Sequence, residues 1–130
     1  ILMPAHNEAK SIARLIPEIH KNINGKINYS IIICEAGSTD NTLEIIENLK
    51  KKYPIKLITS KNKKGYSKAM LDGIRYSNAD FLLIMDSDGQ SNPIEILNFW
   101  KKRKEANLIN GHRKNRKEMV QGQVRQAIQP

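Results

Sequence analysis

Asp80-Phe81-Leu82-Leu83-Ile84-Met85-Asp86-Ser87-Asp88-Gly89-Gln90 is the stretch that decides the fold. Asp80–Met85 reads as a strand. It is the most continuously apolar strand of the chain and therefore the one expected at the centre of a sheet covered on both faces. The run then ends on two carboxylates at alternate positions. Residues leaving strand geometry there can turn toward a common ion, and Gly89 permits the tight turn this requires. Hard divalent cations prefer oxygen ligands, often one or two carboxylates together with substrate phosphates. Gln90 can add an amide oxygen. A bare Asp-x-Asp is more often a turn or a helix cap; its place at the end of an apolar strand gives it weight.

Working outward, apolar runs and helical patterns alternate along the whole chain. Ile1–Met3 is a strand end closed by Pro4. Asn7 is placed to cap a helix over 8–22, with Ile12, Leu15, Ile16 and Ile19 on one face and Pro17 expected to kink it or to start a fresh turn. Ser30–Cys34 is a short β-branched strand. Gly37-Ser38-Thr39-Asp40 is a turn leading to a helix over 41–52 that buries Leu43, Ile46 and Leu49, with Thr39 or Asp40 as its cap. Ile55–Thr59 is a third strand, and a polar loop from Lys61 to Gly65 leads to a helix over 67–77. Pro93 suits the first turn of a helix running to Lys104, and Leu108–Asn110 is a candidate fifth strand. Repeated strand–helix units with short connections predict an α/β fold with a mainly parallel sheet between helical layers. Such sheets bind ligands at the carboxyl ends of their strands. His6-Asn7-Glu8, Glu35, Gly37-Ser38 and Asp86–Gln90 should converge there.

The 130 residues suffice for one domain with one core, and composition is that of an ordinary globular protein, 39% hydrophobic and 27% charged. No internal repeat or linker divides the chain. No run approaches the roughly 20 apolar residues of a membrane span, and no signal-peptide pattern is present. The start inside a strand-like run and the stop at Pro130 give the expectation of a fragment of a larger protein, truncated at its C-terminus. The lone Cys34 excludes an internal disulfide and reads as a buried small hydrophobe; a reducing cytoplasmic setting fits it. The net charge of +9 is concentrated late: Lys101, Lys102, Arg103, Lys104, Arg113, Lys114, Arg116, Lys117 and Arg125 stand against Glu105 and Glu118. Segment 101–130 is thus a basic stretch suited to anionic lipid, nucleic acid or phosphorylated substrate, or simply to solvent. Aromatic residues make up only 5% of the chain. With no stacking platform or recognised module, nucleic acid is not expected as a partner.

Pro4-Ala5-His6-Asn7-Glu8, Glu35-Ala36-Gly37-Ser38-Thr39-Asp40, Gly65 with Ala69 and Gly73, Asp86-Ser87-Asp88-Gly89-Gln90 with Pro93, and Gly111-His112-Arg113 together resemble the family 2 glycosyltransferases of the GT-A fold. The likeness is greatest to the dolichyl- or polyprenyl-phosphate sugar transferases. It covers nearly the whole chain and implies a Rossmann-like three-layer α/β/α domain over 1–130. It also implies a nucleotide-sugar donor (UDP- or GDP-sugar) and Mg²⁺ or Mn²⁺. By resemblance Pro4, His6 and Glu8 lie against the nucleoside, and Glu35 serves the base or ribose beside Gly37. Asp86, Asp88 and Gln90 hold the metal and diphosphate, and Arg113, with Arg125 further on, approaches the donor phosphates. Asp86, Asp88 and Arg113 are then the candidate catalytic residues. Two positions depart from the pattern. Ala36 stands where the family usually has an aspartate, leaving donor identity open, and His6 stands where tyrosine is common.

Inverting transfer to an alcohol normally needs a general base. After Asp88 the only carboxylates are Glu95, Glu105 and Glu118, none well placed for that task. A phosphate acceptor is already ionised and needs no base, and a basic tract favours an anionic lipid head group. The expected acceptor is therefore a polyprenyl or dolichyl phosphate, with the protein peripheral to, or anchored at, the cytoplasmic face of a membrane. The nearest rival is a family 2 glycosyltransferase acting on a saccharide hydroxyl in cell-envelope polysaccharide synthesis. A non-catalytic nucleotide-binding domain and a basic nucleic-acid-binding domain are lesser alternatives. A nucleotidyltransferase expects a Gly-rich, Arg/Lys-containing first loop, which Pro4–Glu8 does not supply. His20 reads as a surface residue, His112 as a loop residue or phosphate contact, Met70, Ile84 and Met85 as core, and Trp100 as packing for the last helix.

Overall fold

A computed structural model describes residues 1–60 and 65–112. Its elements are β1 (Leu2–Ala5), α1 (Ala9–Ile23), β2 (Ile31–Glu35), α2 (Thr42–Lys50), β3 (Ile55–Thr59), α3 (Tyr66–Tyr76) and α4 (Glu95–Lys102). The strands pair in parallel in the order β1-β2-β3, with Met3 opposite Ile33 and Ile33 opposite Leu57. Because strand side chains alternate between faces, the two faces receive different helices. Met3, Ala5, Ile31 and Ile33 pack with Ile12, Leu15, Ile16 and Ile19 of α1, Ile46 of α2 and Ile96 of α4. Leu2, Ile32 and Cys34 pack with Ala69 of α3 on the other face. The result is the expected three-layer α/β/α arrangement.

Gly73 is what lets α3 lie so close. A Cβ there would stand 2.2 Å from Leu2 Cδ1 and 2.8 Å from Cys34 Sγ. Cys34 is buried in this contact, as its sequence position implied. Pro17 does not interrupt α1, whose 15 residues run through it; the cost is one missing N–H donor, with the apolar face burying Ile12, Leu15, Ile16, Ile19 and Ile23 around it.

Several expectations are corrected. Segment 80–85 forms an isolated bridge in place of the expected full strand and, among the described residues, stands at the sheet edge: it lies beside β1 through a parallel bridge between Leu2 and Ile84, with Leu2 N–H donating to the Leu83 carbonyl (2.8 Å) and Met85 N–H to the Leu2 carbonyl (3.0 Å). β1 and β2 occupy the interior among the described residues, and Phe81, Leu82 and Ile84 are exposed. Continuity of apolar residues reports a strand able to be buried on both faces, not how many strands flank it. Ile84 is accordingly not core, whereas Met85 is buried. Leu43 is exposed; Ile46 is buried as expected, Leu49 packs half-buried against the core, and α2 buries Thr42 as well. Leu108–Asn110 forms no strand, and Leu108 is 77% exposed. His20 is half-buried rather than superficial: its Nδ1 lies 2.7 Å from the Tyr29 hydroxyl, and its ring meets Tyr53 edge-on. Trp100 does pack α4, edge-on to Phe81 and 3.9 Å from the Arg103 guanidinium.

Candidate active site

The carboxyl ends of β1 and β2, the start of α3 and the loop after segment 80–85 enclose a cleft of about 300 Å³. It is lined by Pro4, Ala5, His6 and Glu8 on one side, Gly65, Tyr66 and Ala69 on another, and Asp86, Ser87 and Asp88, with Ala36 between. The larger groove in the fold, about 640 Å³, lies at the opposite ends of the strands around Ile1, Phe81, Trp100 and Arg103. Its walls mix apolar and polar side chains, and among the described residues Asp80 is the one carboxylate that lines it.

The loops after β1 and β2 are laced together. Asn7 adopts a left-handed backbone (φ 56°), which asparagine tolerates better than most residues. Its Oδ1 therefore accepts from Thr39 N–H (2.8 Å) and Asp40 N–H (3.3 Å) instead of capping α1. Asn7 N–H donates to Ser38 Oγ and Glu8 N–H to Thr42 Oγ1. Asp40 accepts from Ala9 N–H through Oδ2 and from Thr42 N–H and hydroxyl through Oδ1. The Thr42 hydroxyl chiefly, and these backbone amides with it, hold the Asp40 carboxyl below its ordinary pKa. Glu35, buried at the end of β2, accepts from Ser38 N–H, and Gly37 supplies the positive φ of 72° between them. Glu35 thus braces the turn behind the cleft, and Ala36, the residue just after β2, lines it.

On the other side Ser87 is buried and donates to the Pro4 carbonyl at 2.7 Å, tying the Asp-x-Asp loop to the end of β1. Asp86 and Asp88 flank it and face the cleft. Asp88 Oδ1 also accepts from Gln90 N–H, and Gly89 makes the turn with φ 75°. Gln90 itself does not line the cleft. Tyr66, which sequence reasoning passed over, donates its hydroxyl to Asp86 Oδ1 at 3.2 Å. Desolvation first, then the Asp86 charge and this bond, raise the Tyr66 pKa, so the phenol is a donor at neutral pH. His6 Nδ1 is buried and lacks a hydrogen-bond partner among the described residues.

Among the described residues no group of three or more His, Cys, Asp or Glu side chains gathers to hold a metal ion. Two carboxylates on an open cleft nevertheless fit a hard cation that takes its remaining ligands from phosphate and water. Arg113 and Arg125 lie outside the described residues, while His112 is exposed.

The profile of glycosyl transferase family 2 matches residues 1–128. The chain belongs to glycosyl transferase family 2. Within that family it is 32% identical over 93 residues to a dolichol-phosphate mannosyltransferase of Pyrococcus furiosus, covering 72% of this chain and 26% of the relative. It is 31% identical over 116 residues to a dolichyl-phosphate beta-glucosyltransferase of Trichomonas vaginalis, covering 84% of this chain and 34% of the relative. This family 2 chain therefore spans about a quarter to a third of the length of these curated relatives. Its fold matches the crystal structure of residues 1–349 of TarS from S. aureus (TM-score 0.66, 26% identity, 77% of this chain and 30% of that one). It also matches a mannosyltransferase of Pyrobaculum calidifontis solved with GDP-Man and Mn²⁺ (TM-score 0.61, 20% identity, 67% and 26%), a likeness of fold alone. The architecture is that of the GT-A glycosyltransferases.

Proposed function

We propose that the cleft binds a nucleotide-sugar together with Mg²⁺ or Mn²⁺, and that the protein transfers the sugar with inversion to a polyprenyl or dolichyl phosphate. The observation that carries this reading is the convergence of Asp86 and Asp88 with Pro4, His6, Glu8 and Ala36 on one cleft. One side offers a surface for a nucleoside, the other offers carboxylates for a cation carrying its diphosphate. The names of the two dolichyl-phosphate relatives point the same way.

Breaking the anomeric bond leaves a nucleoside diphosphate, so the site must neutralise charge growing on that leaving group. A cation bound by Asp86 and Asp88 would supply this as a Lewis acid. Arg113 and Arg125 would add charge-assisted bonds to phosphate oxygens. Asp86 and Asp88 hold the donor from the strand end, Ser87 fixes that loop on β1, and Pro4, His6 and Glu8 flank the nucleoside. The acidic residues lining the cleft are Glu8, Asp86 and Asp88. Glu95 accepts from Asn98, and Glu105 lies 3.9 Å from Lys102; neither lines the cleft. An acceptor that is already an anion removes the need for a further base. The exposed Lys101, Lys102 and Lys104, at and just past the end of α4, open the basic stretch of sequence 101–130, whose charge favours an anionic head group at a membrane. Among the described residues no helix is long and apolar enough to cross a membrane.

The test is transfer of labelled sugar from UDP-glucose, UDP-N-acetylglucosamine and GDP-mannose by the full-length protein. Acceptors are polyprenyl phosphate in vesicles, the corresponding free alcohol, and oligosaccharides. Metal-dependent label in the lipid phosphate alone is the expected result. Label in an oligosaccharide, with none in lipid, would replace this acceptor with a saccharide hydroxyl.

A further inference from the structure

The structure assigns one more residue to the cleft. α3 meets the sheet along Ala69 and Gly73, four residues apart and both buried. The position three residues before Ala69 continues that face of the helix. It is Tyr66, the first residue of α3, and there the stripe has run past the carboxyl ends of β1 and β2. A large aromatic side chain on the sheet-facing stripe would ordinarily be buried, yet Tyr66 is 52% exposed. It overhangs the cleft, which it lines together with His6, Glu8, Asp86 and Asp88.

We propose that Tyr66 is a positioning residue: its hydroxyl holds the Asp86 carboxylate in the orientation in which that carboxylate would meet the cation carrying the nucleoside diphosphate. The inference rests on the reading of the cleft as a nucleotide-sugar site. The contact that carries it is the 3.2 Å bond from Tyr66 to Asp86 Oδ1. It is long for an O–H···O bond, so its strength is that of an ordinary rather than a strong contact. A carboxylate aimed before the ligand arrives spares part of the ordering cost of binding. The helix supplies the rigidity. Gly65 enters α3 with an extended backbone, and its carbonyl accepts from Lys68 and Ala69 N–H, fixing where the first side chain stands. Ala36, the small residue on the β2 side of the cleft, offers no polar side chain to share this task.

Tyr66→Phe keeps the ring and the packing stripe and removes only the donor. UDP and GDP are titrated at saturating Mn²⁺ into the full-length protein, Tyr66→Phe, Asp86→Ala and the double variant. Calorimetry reads the tighter complexes and ligand-observed NMR the weaker ones, and thermal midpoints are recorded in parallel. The expected result is about three- to tenfold weaker binding of the preferred nucleotide by Tyr66→Phe, the value of one ordinary hydrogen bond. Its thermal midpoint should be unchanged, and the double variant should bind no more weakly than Asp86→Ala. Wild-type affinity in Tyr66→Phe would overturn the inference while leaving the nucleotide site standing. So would an affinity loss accompanied by a lower midpoint, or an equal further loss in the Asp86→Ala background. Failure of the unsubstituted protein to bind either nucleotide would remove the nucleotide reading and this inference with it.

Discussion

On one side of the cleft the loops after β1 and β2 spend their polar side chains on each other. Asn7, Ser38, Asp40, Thr42 and Glu35 all accept from, or donate to, groups across the two loops or within their turn. On the other side, Asp86 and Asp88 face the cleft from a loop anchored to β1 through Ser87 and to α3 through Tyr66. The first side is prebuilt and offers shape; the second offers charge. On the proposed reading of the cleft as a nucleotide-sugar site, this division would let the rigid half fix the ligand's position and the charged half respond to it.

The largest effect should come from the charged half. Asp88→Ala is expected to weaken metal-dependent nucleoside diphosphate binding about 100-fold, since a bound cation is worth several kcal/mol at a phosphate. Stability should hardly change. Equal binding by this variant would break the comparison, because the charge would then lie elsewhere. The joint between the halves comes next. Ser87→Ala removes a buried bond to the Pro4 carbonyl and should cost roughly 1–2 kcal/mol in urea denaturation. It should also weaken binding, because the carboxylates lose their anchor. A stability loss with intact binding would show that the loop needs no tether. The smallest effect belongs to the laced half. Asn7→Gly retains the left-handed backbone and deletes the bonds to Thr39 and Asp40, for about 1 kcal/mol of stability. Its effect on affinity should be modest and independent of metal; a metal-dependent loss would mean that the two halves are not separable.

The order of the first three strand–helix units was legible because apolar periodicity reports it directly. Ile55–Thr59 has the predicted bounds, and β2 and α1 are displaced by a single residue. The convergence of His6, Glu8, Asp86 and Asp88 was legible for a topological reason: parallel strands place their carboxyl ends together. What escaped depends on neighbours that are remote in sequence. Asn7 looked like a helix cap because asparagine favours that position; its side chain was claimed instead by backbone amides 32 and 33 residues away. Glu35 looked like a ligand-facing acid, yet the Gly37 turn brings Ser38 N–H back onto its carboxylate. The position of segment 80–85 turned on which strands flank it, a property its own composition does not encode. Tyr66 did leave a trace, since Tyr66, Ala69 and Gly73 share one helical face. Only the point where the sheet ends reveals that the first of them overhangs the cleft.

The most direct test of the central claim is a calorimetric titration of UDP and GDP into the full-length protein with Mn²⁺ or Mg²⁺, repeated after chelation by EDTA. The account predicts saturable binding of one nucleoside diphosphate that chelation largely abolishes. Binding unaffected by EDTA would contradict the role given to Asp86 and Asp88, and no binding under any condition would contradict the assignment of the cleft itself.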